Sequence, residues 1–151
     1  MEWSNTGMLQ ALNSLIAVIG TLLGAALTYR FQRQAADRSE QRMALSAFAA
    51  AVMEQRRGEY DRWWRHREDA SGVAYVTART ESYRLRSVAR QALYRIRLLI
   101  QDPELLRLAD EAIAVTAKIH KAQGRDDFDQ GGADAEQALE DFLAYAARRL
   151  H

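Results

Sequence analysis

The chain has no cysteine. Disulfide staples, thiolate metal sites and cysteine nucleophiles are excluded with it. It has one proline and eight glycines in 151 residues, so helix breakers are few. No segment alternates apolar and polar residues with period two, and no internal repeat is present; strands are not expected. The sequence has no HExxH, no Gly-rich phosphate loop and no nucleophile elbow. His66, His120 and His151 show no paired-ligand spacing. No catalytic residue, cofactor or metal ligand is expected, and the chain is not expected to be an enzyme. Charge is missing from one long stretch: no Asp, Glu, Lys or Arg lies between Glu2 and Arg30.

That uncharged stretch is mostly Leu, Ile, Val, Ala and Gly over residues 8–29. A bilayer core takes about 20 apolar residues at 1.5 Å rise each, so its length predicts a transmembrane helix. Trp3 and Tyr29 stand near its ends, where amphipathic rings favour the headgroup level. Arg30 and Arg33 follow and can reach the interface. These four residues are the expected interface anchors. A buried helix of a non-membrane protein would show a polar stripe. A cleaved signal peptide would carry positive charge before its apolar region; here Glu2 precedes it and arginines follow. By the positive-inside rule, residues 1–7 form a short extracytoplasmic end and residues 30–151 lie in the cytoplasm. The expected location is the inner membrane, single-pass, with the lipid bilayer as a partner.

Within the span, Asn13, Ala17, Gly20, Gly24 and Thr28 recur at helical spacing. Gly20 and Gly24 form a GxxxG pair, which allows close approach of two helices. The expected packing face is Asn13, Ala17, Gly20 and Gly24. A homo-oligomer or a protein partner follows as the expected assembly. A membrane-permeabilising role for this small-residue helix is a further reading.

The remainder reads as an all-α, antiparallel helical bundle whose first helix continues out of the membrane. Apolar residues at spacings of three and four place helices at about 30–68, 73–100, 103–122 and 134–150. "DASG" at residues 69–72 is the first turn signal. In "QDPEL", Asp102 is the expected N-cap and Pro103 the first helical residue. "GRDDFDQGG", residues 124–132, is the long breaker segment and reads as a flexible loop. Its aspartates fail the calcium-loop pattern, because the twelfth position from Asp126 is Gln137 and not glutamate. Asp134 would then cap the last helix, with Gln137 as its capping-box partner.

Charge is distributed unevenly. Residues 30–97 hold 15 basic and 8 acidic residues; residues 102–141 hold 4 basic and 11 acidic. Short turns imply antiparallel neighbours, so basic helices would lie against acidic ones. The second helix carries Arg79, Arg84, Arg86, Arg90, Arg95 and Arg97 against Glu81 alone. Arg86 and Arg90 are therefore candidate partner contacts, as is Trp64 in "EYDRWWRHRED". Of Trp63 and Trp64, about 100° apart on a helix, one should enter the core. The leading reading is a membrane-anchored interaction or scaffold protein. The alternative is a tethered module that binds an anionic partner, nucleic acid or acidic protein, through the second helix; of these, nucleic acid is the less expected. No small-molecule substrate is inferred.

The stretches "GTLLGAALTYRFQRQAADR", "AFAAAVMEQRRGEYDRWWRHRED" and "ARTESYRLRSVARQALYRIRLLIQDPEL" resemble small, uncharacterised actinomycete proteins across most of the chain. The resemblance implies one N-terminal membrane helix followed by an Arg/Ala-rich helical region. It carries no activity and no functional residues.

Overall fold

A computed structural model describes residues 3–150, with side chains from residue 21 onward. It contains α1 (Trp3–Glu68), α2 (Val73–Leu99), α3 (Pro103–Thr116), a 3-10 turn at Ile119–Lys121, and α4 (Arg125–Leu150). No strand occurs among the described residues. The chain divides into two compact units, Met1–Ser39 and Glu40–His151.

In the first unit every residue from 21 to 39 is exposed, Leu22, Leu27, Tyr29, Phe31, Arg30 and Arg33 among them. The Thr28 hydroxyl donates to the Gly24 carbonyl at 2.9 Å, one turn back. A Cβ built on Gly24 meets nothing within 4 Å beyond its own helix backbone. Trp3, Asn13, Ala17 and Gly20 lie outside the residues whose side chains are described.

The expected inner-membrane location is corrected here. Among the described residues, no helix is long and apolar enough to cross a membrane. The side chains of residues 8–20 of the expected span lie outside the description. Residues 21–29 are too few for a bilayer core of about 20 residues. From Arg30 onward charge returns every few positions, at Arg33, Asp37, Arg38, Glu40 and Arg42. The reading of Trp3, Tyr29, Arg30 and Arg33 as interface anchors depended on that placement.

The second unit is a four-helix bundle of up-down-up-down topology. Antiparallel pairing is visible residue by residue. Along α1 and α2, the Gln41 amide donates to the Leu99 carbonyl at 3.3 Å, while Arg62 reaches Ser82 at 3.4 Å. Along α1 and α4, Phe48 packs on Phe142 with ring centroids 4.7 Å apart, and Arg56 meets Glu136 at 3.3 Å. The α3 and α4 helices close the bundle, with Tyr145 and Arg149 returning to Asp102.

The main core follows the apolar periodicity of each helix. Leu45, Phe48 and Val52 from α1 meet Ala89, Leu93 and Ile96 from α2, Leu105, Ala109 and Ile113 from α3, and Leu139 and Phe142 from α4. Each large side chain buried there contributes about 1.5–3 kcal/mol of transfer free energy. Below it sits a smaller cluster of Trp63, Ile119, Phe128 and Ala135. Gln55, fully buried near the boundary between the two, donates to the Ile113 carbonyl at 3.2 Å.

The α3 start matches expectation. The Asp102 carboxylate accepts from the Glu104 and Leu105 N–H groups, both at 3.1 Å, and Pro103 opens the helix. Arg149 Nε donates to the same carboxylate at 2.8 Å. The Leu105 N–H, then Arg149 and Tyr145, hold the Asp102 carboxyl below its ordinary range. Asp102→Ala is expected to cost about 1–2 kcal/mol, measured by urea unfolding. A carboxyl whose folded value lies below its unfolded value stabilises fully above the unfolded value of about 3.9. That contribution is lost as pH falls through the folded value, so the deficit of the variant should shrink in acid.

The chain departs from expectation after Thr116. α3 ends there, not near residue 122, and a 3-10 turn follows. α4 begins at Arg125, not at Asp134. Residues 125–132, expected as a loop, form its first two turns. Asp134 therefore lies inside the helix, where it accepts from the Gln130 amide at 2.7 Å. The residue that ties the real start is Asp127, which accepts from the Gln123 N–H at 2.8 Å. Packing overrides the glycines here. Phe128 is buried against Trp63, with ring centroids 4.1 Å apart and planes 20° from parallel. Tyr60 lies across Gly132 so closely that an added Cβ would collide with its hydroxyl.

Candidate interaction surface

The α2 helix has two faces set by its sequence. Ala78, Ser82, Ala89, Leu93 and Ile96 are buried. Opposite them, Val76, Tyr83, Tyr94 and Leu98 recur at multiples of the helical turn and are exposed, Leu98 to 85%. A row of large apolar side chains left open to water marks an interaction site more often than scattered single residues do.

The arginines of α2 divide into two groups. Four have a carboxylate of this chain. Arg84 is bound to Glu81 at 2.6 Å, Arg86 to Glu59 at 2.7 Å, and Arg97 to Asp110 at 2.5 Å; Arg95 approaches Glu40 at 3.8 Å. Arg79 instead lies by the Tyr83 ring, 5.9 Å from its centroid. Arg62 and Arg86 also approach that ring, at 5.1 and 5.7 Å. Arg79 first, and Arg62 after it, draw the Tyr83 hydroxyl below its ordinary pKa. Arg90 is exposed and has no ion-pair partner among the described residues. The expected pairing of basic with acidic helices is thus partial: Arg97–Asp110 and Arg56–Glu136 join the two halves, while Arg86 and Arg95 pair within the basic half.

Trp64 does not join this surface. Trp63 enters the core at 3% exposure, and Trp64 is 43% exposed. Trp64 stands edge-on to Trp63 and lies under Arg125 of α4, whose guanidinium is 5.2 Å from the ring centroid. Arg90 faces outward on α2, while Arg86 is turned inward to Glu59. The three candidate contacts are therefore dispersed.

Beneath Arg86 lies a polar cluster that the sequence did not reveal. Glu59 is fully buried on α1. Its Oε1 accepts from Arg86 Nη2 at 2.7 Å. Its Oε2 lies 2.9 Å from His120 Nδ1, without the alignment of a hydrogen bond. Arg62 Nη1 is 3.9 Å from the same oxygen and donates to the Ser82 hydroxyl at 3.4 Å. Burial, reinforced by the two guanidiniums, lowers the His120 pKa; Glu59 opposes the shift. One carboxylate thus serves two permanent cations and an imidazole held toward its neutral form.

The bundle coincides with the match to a known protein family. Residues 42–150 match the family model described as KilB plasmid transfer protein. The chain belongs to the KilB plasmid transfer family. A KilB protein from Streptomyces lividans is 33% identical over 144 residues, covering 91% of this chain and 97% of that protein. This agrees with the resemblance to actinomycete proteins; the membrane anchoring that the resemblance also implied is not supported. No solved structure matches. The family match begins inside the bundle and includes neither Gly20 nor Gly24. The KilB-defining portion therefore contains all of α2 and the Glu59 cluster.

Proposed function

We propose that this KilB-family chain serves plasmid transfer as a binding module, with the outward face of α2 as its contact for a protein partner. The observation that carries this reading is the composition of that face. Tyr83, Tyr94 and Leu98 stand exposed beside Arg79 and Arg90, and the sole acid of α2, Glu81, is bound by Arg84. Tyr and Arg are enriched at interface hot spots, where they combine apolar contact with charge-assisted hydrogen bonds. The partner suited to it presents carboxylates among apolar side chains, as an acidic amphipathic helix does. Nucleic acid is less well suited, because four of the six α2 arginines already have carboxylates.

The test is a mating assay with Arg90→Glu, Tyr94→Ser and Leu98→Asp combined. Plasmid transfer is expected to fall at least about tenfold, as loss of a hot-spot cluster does. The thermal midpoint should be unchanged, since all three side chains are exposed. Undiminished transfer at equal protein level would refute the α2 contact.

A further inference from the structure

A second feature lies away from the outward α2 face, where the C-terminal part of α1, the first turn of α2 and the 3-10 turn meet. A pocket of about 410 Å³ is lined there by Arg62, His66, Tyr75, His120, Lys121 and Gln123. Every one of these side chains carries an N–H or O–H donor, and none is a carboxylate. His66 and Tyr75 meet edge-to-face across it, with ring centroids 5.0 Å apart. His66, Lys121 and Gln123 are exposed, while Arg62 is buried to 8% exposure.

The charge around the pocket is unbalanced. Among the described residues, Glu59 supplies the one negative charge within ion-pair distance of the pocket's cations, and it is shared by Arg62, Arg86 and His120. Its distance to Arg62 is 3.9 Å, the longest of the three. Arg62 Nε is buried and has no hydrogen-bond partner. A guanidinium with an open donor, removed from water and incompletely neutralised, costs several kcal/mol in principle. An outside anion would offset that cost. Arg matches phosphate geometry through its planar fork, and Lys contributes a mobile point charge. The donors of Arg62, Lys121, His66 and Tyr75 line one pocket, and several donors from different elements suit a tetrahedral oxyanion better than a planar carboxylate.

We propose that this pocket is a binding site for a phosphate group, with Arg62 as its buried anchor and Lys121, His66 and Tyr75 as its rim. The same chemistry can come from free inorganic phosphate or from the phosphate of a nucleotide. The full chain is titrated with inorganic phosphate, adenosine monophosphate and acetate at constant ionic strength. Imidazole resonances and the thermal midpoint are followed. Phosphate is expected to shift the His66 and His120 signals saturably and to raise the midpoint, as ligand linkage requires; acetate should do neither. Tighter binding of the nucleotide than of phosphate assigns the site to nucleotides, and the reverse order to free phosphate; either supports the site. The variant Lys121→Gln with His66→Gln alters only exposed side chains and should retain the fold. Its affinity for phosphate is expected to drop at least about tenfold, which is 1.4 kcal/mol. Equal responses to phosphate and acetate, or unchanged affinity in the double variant, would overturn the proposal.

Discussion

Glu59→Ala is expected to destabilise the bundle by about 3–5 kcal/mol, the cost of breaking a buried ion pair from one side. The carboxylate is fully buried and is the counter-charge for both Arg86 and Arg62. Its removal leaves the buried Arg62 and the partly buried Arg86 without their counter-charge, with a cavity beside them. His120 would stay neutral and add no third positive charge. Without Glu59, the burial and guanidinium effects that already lower its pKa would act unopposed. Urea unfolding gives the measurement directly, because a shift in midpoint at constant slope is a change in stability. Two further variants separate charge from shape. Glu59→Gln preserves volume and one acceptor, so it should recover part of the loss. Replacing Glu59, Arg62 and Arg86 together by methionine should recover most of it, since well-packed apolar groups substitute for buried ion clusters at little cost. A Glu59→Ala effect below about 1 kcal/mol, the level of an exposed pair, would mean that water reaches the cluster.

Trp63→Ala is the second large effect, expected at about 3–5 kcal/mol for a buried aromatic truncated to alanine. Trp63 is 3% exposed, stacks on Phe128, and donates its indole N–H to the Ala122 carbonyl at 2.9 Å. It therefore holds both the 3-10 turn and the start of α4. The loss should be local first. Amides of residues 125–132 should lose hydrogen-exchange protection before the middle of α1, where Phe48 and Val52 lie in the main core. Trp63→Phe keeps a ring against Phe128 and gives up the bond to Ala122, so its cost should be smaller. Uniform loss of protection along the whole bundle would show that the lower cluster is not a separate unit.

Those two residues also mark where sequence reasoning succeeded and where it stopped. The split of Trp63 and Trp64 between core and surface was legible, because adjacent helical residues point about 100° apart and only one can follow the apolar stripe. The α3 start was legible for the same local reason: Asp102 and Pro103 act within one turn of each other. The start of α4 was not. Gly131 and Gly132 each argue against helix, at roughly 1 kcal/mol per interior glycine. The contacts that outweigh them come from α1, where Tyr60 packs over Gly132 and Trp63 receives Phe128. The apolar composition of residues 8–29 likewise pointed to a membrane. Among the described residues no helix meets that requirement.

The candidate sites divide in the same way. Six arginines on α2 are visible in the sequence, but nothing local distinguishes Arg86, bound to a buried carboxylate 27 residues away, from exposed Arg90. The pocket of Arg62, His66, Tyr75, His120, Lys121 and Gln123 gathers three stretches of chain that share no motif. What the sequence determined alone was a helical protein with its turns at residues 69–72 and near Asp102, because helical periodicity and capping act over a few residues. What the tertiary structure decided was which charges are buried together, which arginines remain open to a partner, and where α4 begins. Each of those depends on free energy contributed by side chains distant in the chain, which come into contact only once the helices have packed.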